Sequence, residues 1–437
     1  MSASAVADSD SLSTRSHPGP RLGLVAMHVT SVALIQGFAF ATVFILPILA
    51  RKQFAANDWQ TLVLTAAPTI LFSLSIFWND LYNRLSLRKY LFVYWIVACV
   101  PLALIAAHPS LWWLILCHLI ACIGGAGYHP AAGELLNAIY PAATRGRMYS
   151  VVSGSTMIAG ALIGLGLGEW LHRDPNAFRL YLPISASAQL IGILLTLRLF
   201  TILQRGRTAD TPPDGRTLWN RVVEPITHTR EVLAADPVFA RYEAAYMVYG
   251  IGWMVCYALL PILVTDKLKL DYDQISRSTQ VAYQVALVCM LWPAGLLMDR
   301  LGAVRSTGLS FALLTLYPIG LILVGNDEHL LGVSAMYGIA HAGASVGWML
   351  GPVALAPSKD KVPQYVAIHA TMVGIRGKLF QGLGVGLYVL THSYAFPLAL
   401  AALAFAVSAW QMWRLDARMK AAAAPPPSPT ASQPNPA

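Results

Sequence analysis

Twelve apolar stretches, most of them close to twenty residues or longer and separated by short polar segments, leave this chain little choice of fold. They fall at roughly 22–50, 59–82, 90–107, 110–138, 148–171 and 180–203, then at 238–264, 278–298, 306–325, 329–355, 365–391 and 394–413. A helix rises 1.5 Å per residue, so about 20 residues cross the ~30 Å hydrocarbon core of a bilayer. Charge content agrees: 12% of residues are charged, where a water-soluble domain carries roughly a quarter. The expected fold is an all-α polytopic membrane protein with twelve transmembrane helices.

The segments divide as six, a polar stretch, and six. The reading gives an N-terminal tail (1–21), a first half (22–203), a cytoplasmic linker (204–237), a second half (238–413) and an Ala/Pro-rich tail (414–437). Both tails read as disordered on composition. The first apolar run is too long for the apolar core of a cleavable signal peptide, and the residues before it are Ser-rich.

The net charge of +9 does not point to nucleic acid, because the Lys and Arg fall mainly between apolar runs. Placing both termini inside puts twenty basic residues on the cytoplasmic face, among them Arg84, Arg88, Lys89, Arg300 and Arg305, and seven on the other. That asymmetry orients a multi-pass protein in the cell (inner or plasma) membrane with both termini cytoplasmic. All five cysteines lie in apolar runs, without a disulfide framework or zinc spacing.

The halves repeat each other. Asn83-Arg84 and Asp299-Arg300 are 216 residues apart, as are Pro141 and Pro357, Tyr149 and Tyr365, and Gly166-Leu167-Gly168 and Gly382-Leu383-Gly384. Four landmarks at one offset imply a duplicated six-helix unit, hence two pseudo-symmetric halves with a site between them near mid-membrane.

After the eighth segment the chain reads Gly295-Leu-Leu-Met-Asp299-Arg300-Leu-Gly302-Ala-Val-Arg305. This resembles the G-x-x-x-D-R-x-G-x-x-R loop of the major facilitator superfamily, in the position that family keeps it. The resemblance implies a secondary transporter whose loop latches the halves in one of two alternating states. Gly295 permits close helix approach, Gly302 a tight turn, and Asp299 sits favourably near a helix N-terminus. The first-half loop is degraded, with Asn79, Asn83 and Ser86 in place of Gly, Asp and Gly, while Arg84 and Arg88 remain.

Candidates for the site come from polar groups within the apolar runs, where they are costly. Arg376 lies 11 residues into its segment, about 16 Å deep. His369 is seven residues earlier on the same face. Arg376 suits a carboxylate or phosphate, or a structural ion pair or backbone carbonyl. His118 shares a stripe with Cys122, Gly125 and His129, which reads better as hydrogen-bonded histidines than as a metal site. His341 lies one turn after Tyr337. Tyr246, Tyr249 and Trp253 continue an aromatic stripe from Tyr242 to Tyr257, either facing a solute or packing on neighbours. Gln280 and Gln284 form a polar pair, and Gln36 is a lone candidate. Glycines of the fifth segment read as close helix packing. No carboxylate is found mid-helix; Glu134, Glu169 and Glu243 sit near segment ends.

The reading is a transporter that moves a small solute, with an organic anion or zwitterion favoured, by alternating access. Its partners are the solute and the lipid bilayer, with either a proton as coupling ion, carried by histidine, or no coupling ion in a uniporter or exchanger. It needs no cofactor or metal, shows no nucleotide-binding motif or enzyme constellation, contacts no nucleic acid and acts as a monomer. The alternatives are an exporter of hydrophobic compounds or a transport-inactive sensor on the same fold.

Overall fold

The computed structural model describes residues 22–140, 145–203, 229–358 and 361–423. The expected tail at 1–21, the linker at 204–228, the end of the chain from 424 and Pro141 lie outside the described residues. Among the described residues the structure is helical, without a strand. The helices are α1 (Leu22–Phe54), α2 (58–84), α3 (Leu87–Leu104), α4 (Leu111–Leu136), α5 (Arg145–Arg173) and α6 (Phe178–Ile202), then α7 (Pro237–Lys267), α8 (Tyr272–Leu301), α9 (Ala303–Leu323), α10 (Asp327–Leu355), α11 (Val362–Thr391) and α12 (Ala395–Ala423). Among the described residues ten of these helices are long and apolar enough to cross a membrane. The other two complete the twelve: α2, broken by a 3₁₀ turn at Phe72–Leu74, and α11, which carries His369, Arg376 and Lys378. The outer surface is apolar, with Leu162 65% and Trp292 74% exposed, as suits lipid rather than water.

Helix ends follow local chemistry. Asn57 and Gln60 form a reciprocal capping box that starts α2. Asp236 accepts from the Val238 and Phe239 amides, and Pro237 opens α7. Gly302, at φ +81°, is the single residue between α8 and α9, a backbone conformation that glycine takes without strain. Helix α12 runs past the expected end at 413 to Ala423. An Asp416–Lys420 pair at 2.6 Å and a run of alanines favour the extension.

Among the described residues the halves share a core toward one end, and their seam continues inward to Met157 of α5, which packs against the Leu287, Ala294 and Ala342 cluster. The shared core takes Ile45, Leu49, Leu64, Leu167 and Leu171 from the first half and Leu259, Ile262, Val264 and Ile275 from the second. At the other end the cores are separate: Trp78, Tyr90, Tyr94, Tyr128 and Tyr140 in the first half, Phe239, Tyr365 and Ile368 in the second. The halves pack through α5 on α8 and α2 on α11. By the 216-residue repeat these two contacts are copies of one another. Lipid is as apolar as a protein core, so close packing of small residues holds such contacts. A Cβ on Gly164 would lie 2.2 Å from Gln280 Oε1, and one on Gly168 2.6 Å from Ser276 Cβ. Gly164 and Gly168 thus seat α8, a Cβ on Gly160 would lie 3.3 Å from Phe40 of α1, and Gly154 and Gly166 face open space.

Candidate functional site

Within the second half, α7 and α11 are joined by two buried polar clasps. Arg376 is 1% exposed, and its Nη1 donates to the Tyr246 carbonyl at 2.7 Å. Its side chain crosses Gly250, where a Cβ would come 2.1 Å from Arg376 Cδ, so glycine is what admits it. Tyr246 and Tyr249 rings lie 5.9 and 6.0 Å from the guanidinium carbon. Two turns away, His369 Nδ1 meets Glu243 Oε1 at 2.7 Å, with side chains 2% and 4% exposed. Among the described residues, Glu243 Oε2, His369 Nε2 and Arg376 Nε have no hydrogen-bond partner.

This adds one finding and favours one of two readings. A carboxylate does lie in the buried interior: Glu243 is only six residues into α7, but it is 3% exposed and paired with His369 of α11. Of the readings of Arg376, the bond to a backbone carbonyl is the one made here. Tyr246 and Tyr249, at 1% and 4% exposure, are likewise packed. Tyr242 and Tyr246 hydroxyls donate to the Gly347 and Ala344 carbonyls of α10 at 2.9 and 3.0 Å, and Tyr249 stacks on Phe311 at 4.5 Å.

The half-buried polar and aromatic groups gather one layer further along. Trp253 lies 6.0 Å from the His341 ring, His341 Nδ1 bonds the Tyr283 hydroxyl at 2.7 Å, and Tyr337 stacks on His341 at 5.1 Å. Tyr283 was not singled out in the sequence, although it adjoins Gln284. Gln284 is 1% exposed with both amide atoms unpartnered. Gln36 is half-buried in a π turn (Ala33–Gly37) of α1, a distortion common at functional positions. Gln280 instead donates to the Gly160 carbonyl at 3.0 Å and joins the halves. His118 donates to the Leu64 carbonyl at 2.9 Å and lies beside Cys122, a satisfied structural histidine.

At the end where the halves share a core, charges face each other across the interface. Arg51 bonds Asp58 at 2.9 Å, Thr265 at 3.0 Å and also Asp266. Lys52 bonds the Leu270 carbonyl and lies 3.7 Å from Asp271. His172 lies 3.7 Å from Asp271 and 3.3 Å from Asp273. His172, Asp271 and Asp273 bring ligand atoms within 4.8 Å of one another. The set is partly exposed and Lys52 already supplies a positive charge there, so it is an ion-pair cluster.

The loops at the end where the cores are separate differ from the sequence reading in one respect. A Cβ on Gly295 would meet nothing within 4 Å, so the expected close approach is not made in this state. Asp299, Arg300 and Arg305 are exposed. In the first half Asp80 pairs with Arg84 at 2.9 Å, supplying a carboxylate one turn before the expected position. Arg88 is exposed, and the side chains of Asn79 and Asn83 lie outside those described.

Two six-helix units that share a core at one end and have separate cores at the other, with polar groups walled inside, define a multi-pass membrane transporter. The family model for the Major Facilitator Superfamily matches residues 29–388, and the chain belongs to that superfamily. A search of curated proteins gave no match. Solved structures share the fold: a peptide transporter, POT, with sulfate (TM-score 0.71, 12% identity, 92% of this chain and 95% of that one); a POT family transporter with 5-aminolevulinic acid (0.68, 12%, 92% and 97%); and a bacterial homolog of the human lysosomal transporter Spinster, inward-facing and unoccupied (0.60, 16%, 92% and 96%).

Proposed function

We propose that this chain carries a small organic solute by alternating access, with both termini cytoplasmic, and that the state described is closed outside and open inside. The carrying observation is the single core shared at one end and the separate cores at the other. Trp253, Tyr283, His341 and Gln36 are the half-buried groups we assign to the solute, with Gln284 as an unpartnered donor and acceptor beside them. These are neutral and aromatic, and Arg376 is tied down. A zwitterionic or neutral solute therefore fits better than a simple anion, and 5-aminolevulinic acid bound to a neighbour of the same fold is of this kind. The aromatic content also keeps the hydrophobic exporter as the second reading.

For coupling we assign the proton to Glu243–His369. A buried ion pair is costly in a membrane unless it functions or is fully satisfied, and each partner leaves one polar atom unpartnered. Tyr242, Tyr246, Trp348 and Arg376 surround the pair.

The test is thermal stabilisation of the purified protein by zwitterionic, neutral, anionic and lipophilic compounds. A ligand at about 100 times its Kd stabilises by about 2.7 kcal/mol. Zwitterions should stabilise the native protein but not Trp253→Leu or His341→Gln. Stabilisation by lipophilic compounds alone would replace this reading with the exporter. In proteoliposomes, Glu243→Gln should abolish acceleration by a pH gradient; unchanged acceleration removes the pair from coupling.

A further inference from the structure

The charged cluster at the closed end contains one group whose charge is variable. From the first half come Arg51, Lys52 and His172; from the second come Asp266, Asp271 and Asp273. Arg51 is shared between Asp266 and Asp58 of its own half. Lys52 lies against Asp271 and over the Tyr272 ring, 5.0 Å from its centroid. Asp273 is left to His172: its Oδ1 is closed to solvent, has no hydrogen-bond partner and faces His172 Nδ1 at 3.3 Å. Other nearby charges are engaged elsewhere, Arg173 with Glu169 at 2.6 Å and Arg277 with Asp327 at 2.8 Å.

We propose that His172 is a pH-sensitive latch between the two halves. Protonated, it supplies the cation that Asp273 lacks, adds to Lys52 at Asp271, and holds the outer face closed. Neutral, it leaves excess negative charge at the seam, and the face opens more readily. Histidine is the side chain whose charge changes across the physiological range. The site is partly exposed, so solvent screens the pair, and the effect on the opening equilibrium is roughly two- to five-fold. The inference rests on the proposed separation of the halves at this face and is independent of the solute.

The experiment is hydrogen–deuterium exchange of the full-length protein in lipid nanodiscs, followed over 268–274 at pH 5.5 and 8 and corrected for intrinsic exchange. The native protein should open two- to five-fold more at the higher pH. His172→Gln should be open at both values, and His172→Arg, a permanent cation, closed at both. Identical pH responses in the native protein and His172→Gln overturn the latch. Arg51→Ala is the control: it should raise exchange at every pH. If it raises exchange while the His172 variants change nothing, the latch alone fails; if it does not, the separation of the halves fails with it.

Discussion

Replacing Gly250 by alanine tests whether Arg376 is a structural clasp. The new Cβ would stand 2.1 Å from Arg376 Cδ and 2.8 Å from Cγ. Reaching ordinary contact at 3.4 Å demands that the arginine withdraw by 1.3 Å (3.4 less 2.1), which breaks its 2.7 Å bond to the Tyr246 carbonyl. Overpacking costs about 1–3 kcal/mol, and losing a hydrogen bond from a charged group about 1.5–3 kcal/mol. Together they predict a loss of about 3–5 kcal/mol, a fall in Tm on the order of 10 °C for a unit of this size. The assay is thermal unfolding in detergent, repeated in an Arg376→Ala background. There the remaining close neighbour is Arg376 Cβ at 3.2 Å, so the same alanine should cost under about 1 kcal/mol. Equal costs in the two backgrounds, or a native-like Tm for Gly250→Ala, would refute the reasoning.

Three further outcomes follow from the same geometry. Gly164→Ala, whose Cβ would lie 2.2 Å from Gln280 Oε1, should lose about 1–3 kcal/mol and slow transport. Gly166→Ala, facing open space, should do neither; thermal unfolding and uptake distinguish them. Gly295→Ala should leave Tm unchanged, since nothing lies within 4 Å, yet reduce uptake if the open end closes on this glycine; normal uptake removes Gly295 from the gate. Tyr283→Phe deletes the 2.7 Å bond to His341 and should weaken solute binding by about 1 kcal/mol, roughly five-fold, read by calorimetry once a stabilising solute is found.

The sequence by itself determined the membrane, the helical class, the duplication and the family. Each depends on periodic properties of single segments: apolar length, loop charge, and landmarks at a 216-residue offset. The loop Gly295 to Arg305 was legible because its residues are contiguous. The candidate site was legible only as a set of types. His369 and Arg376 were correctly placed on one face, but whether that face met solute or another helix depended on α7, more than a hundred residues away. Glu243 was set aside as near a segment end, because proximity to a helix end is a poor measure of burial once His369 of α11 pairs with it. Gly250 gave no signal at all, since a glycine's significance there is the side chain that crosses it. Tertiary structure decided these points, along with where the two halves share a core, because burial and pairing are properties of helix–helix contacts and not of any one helix.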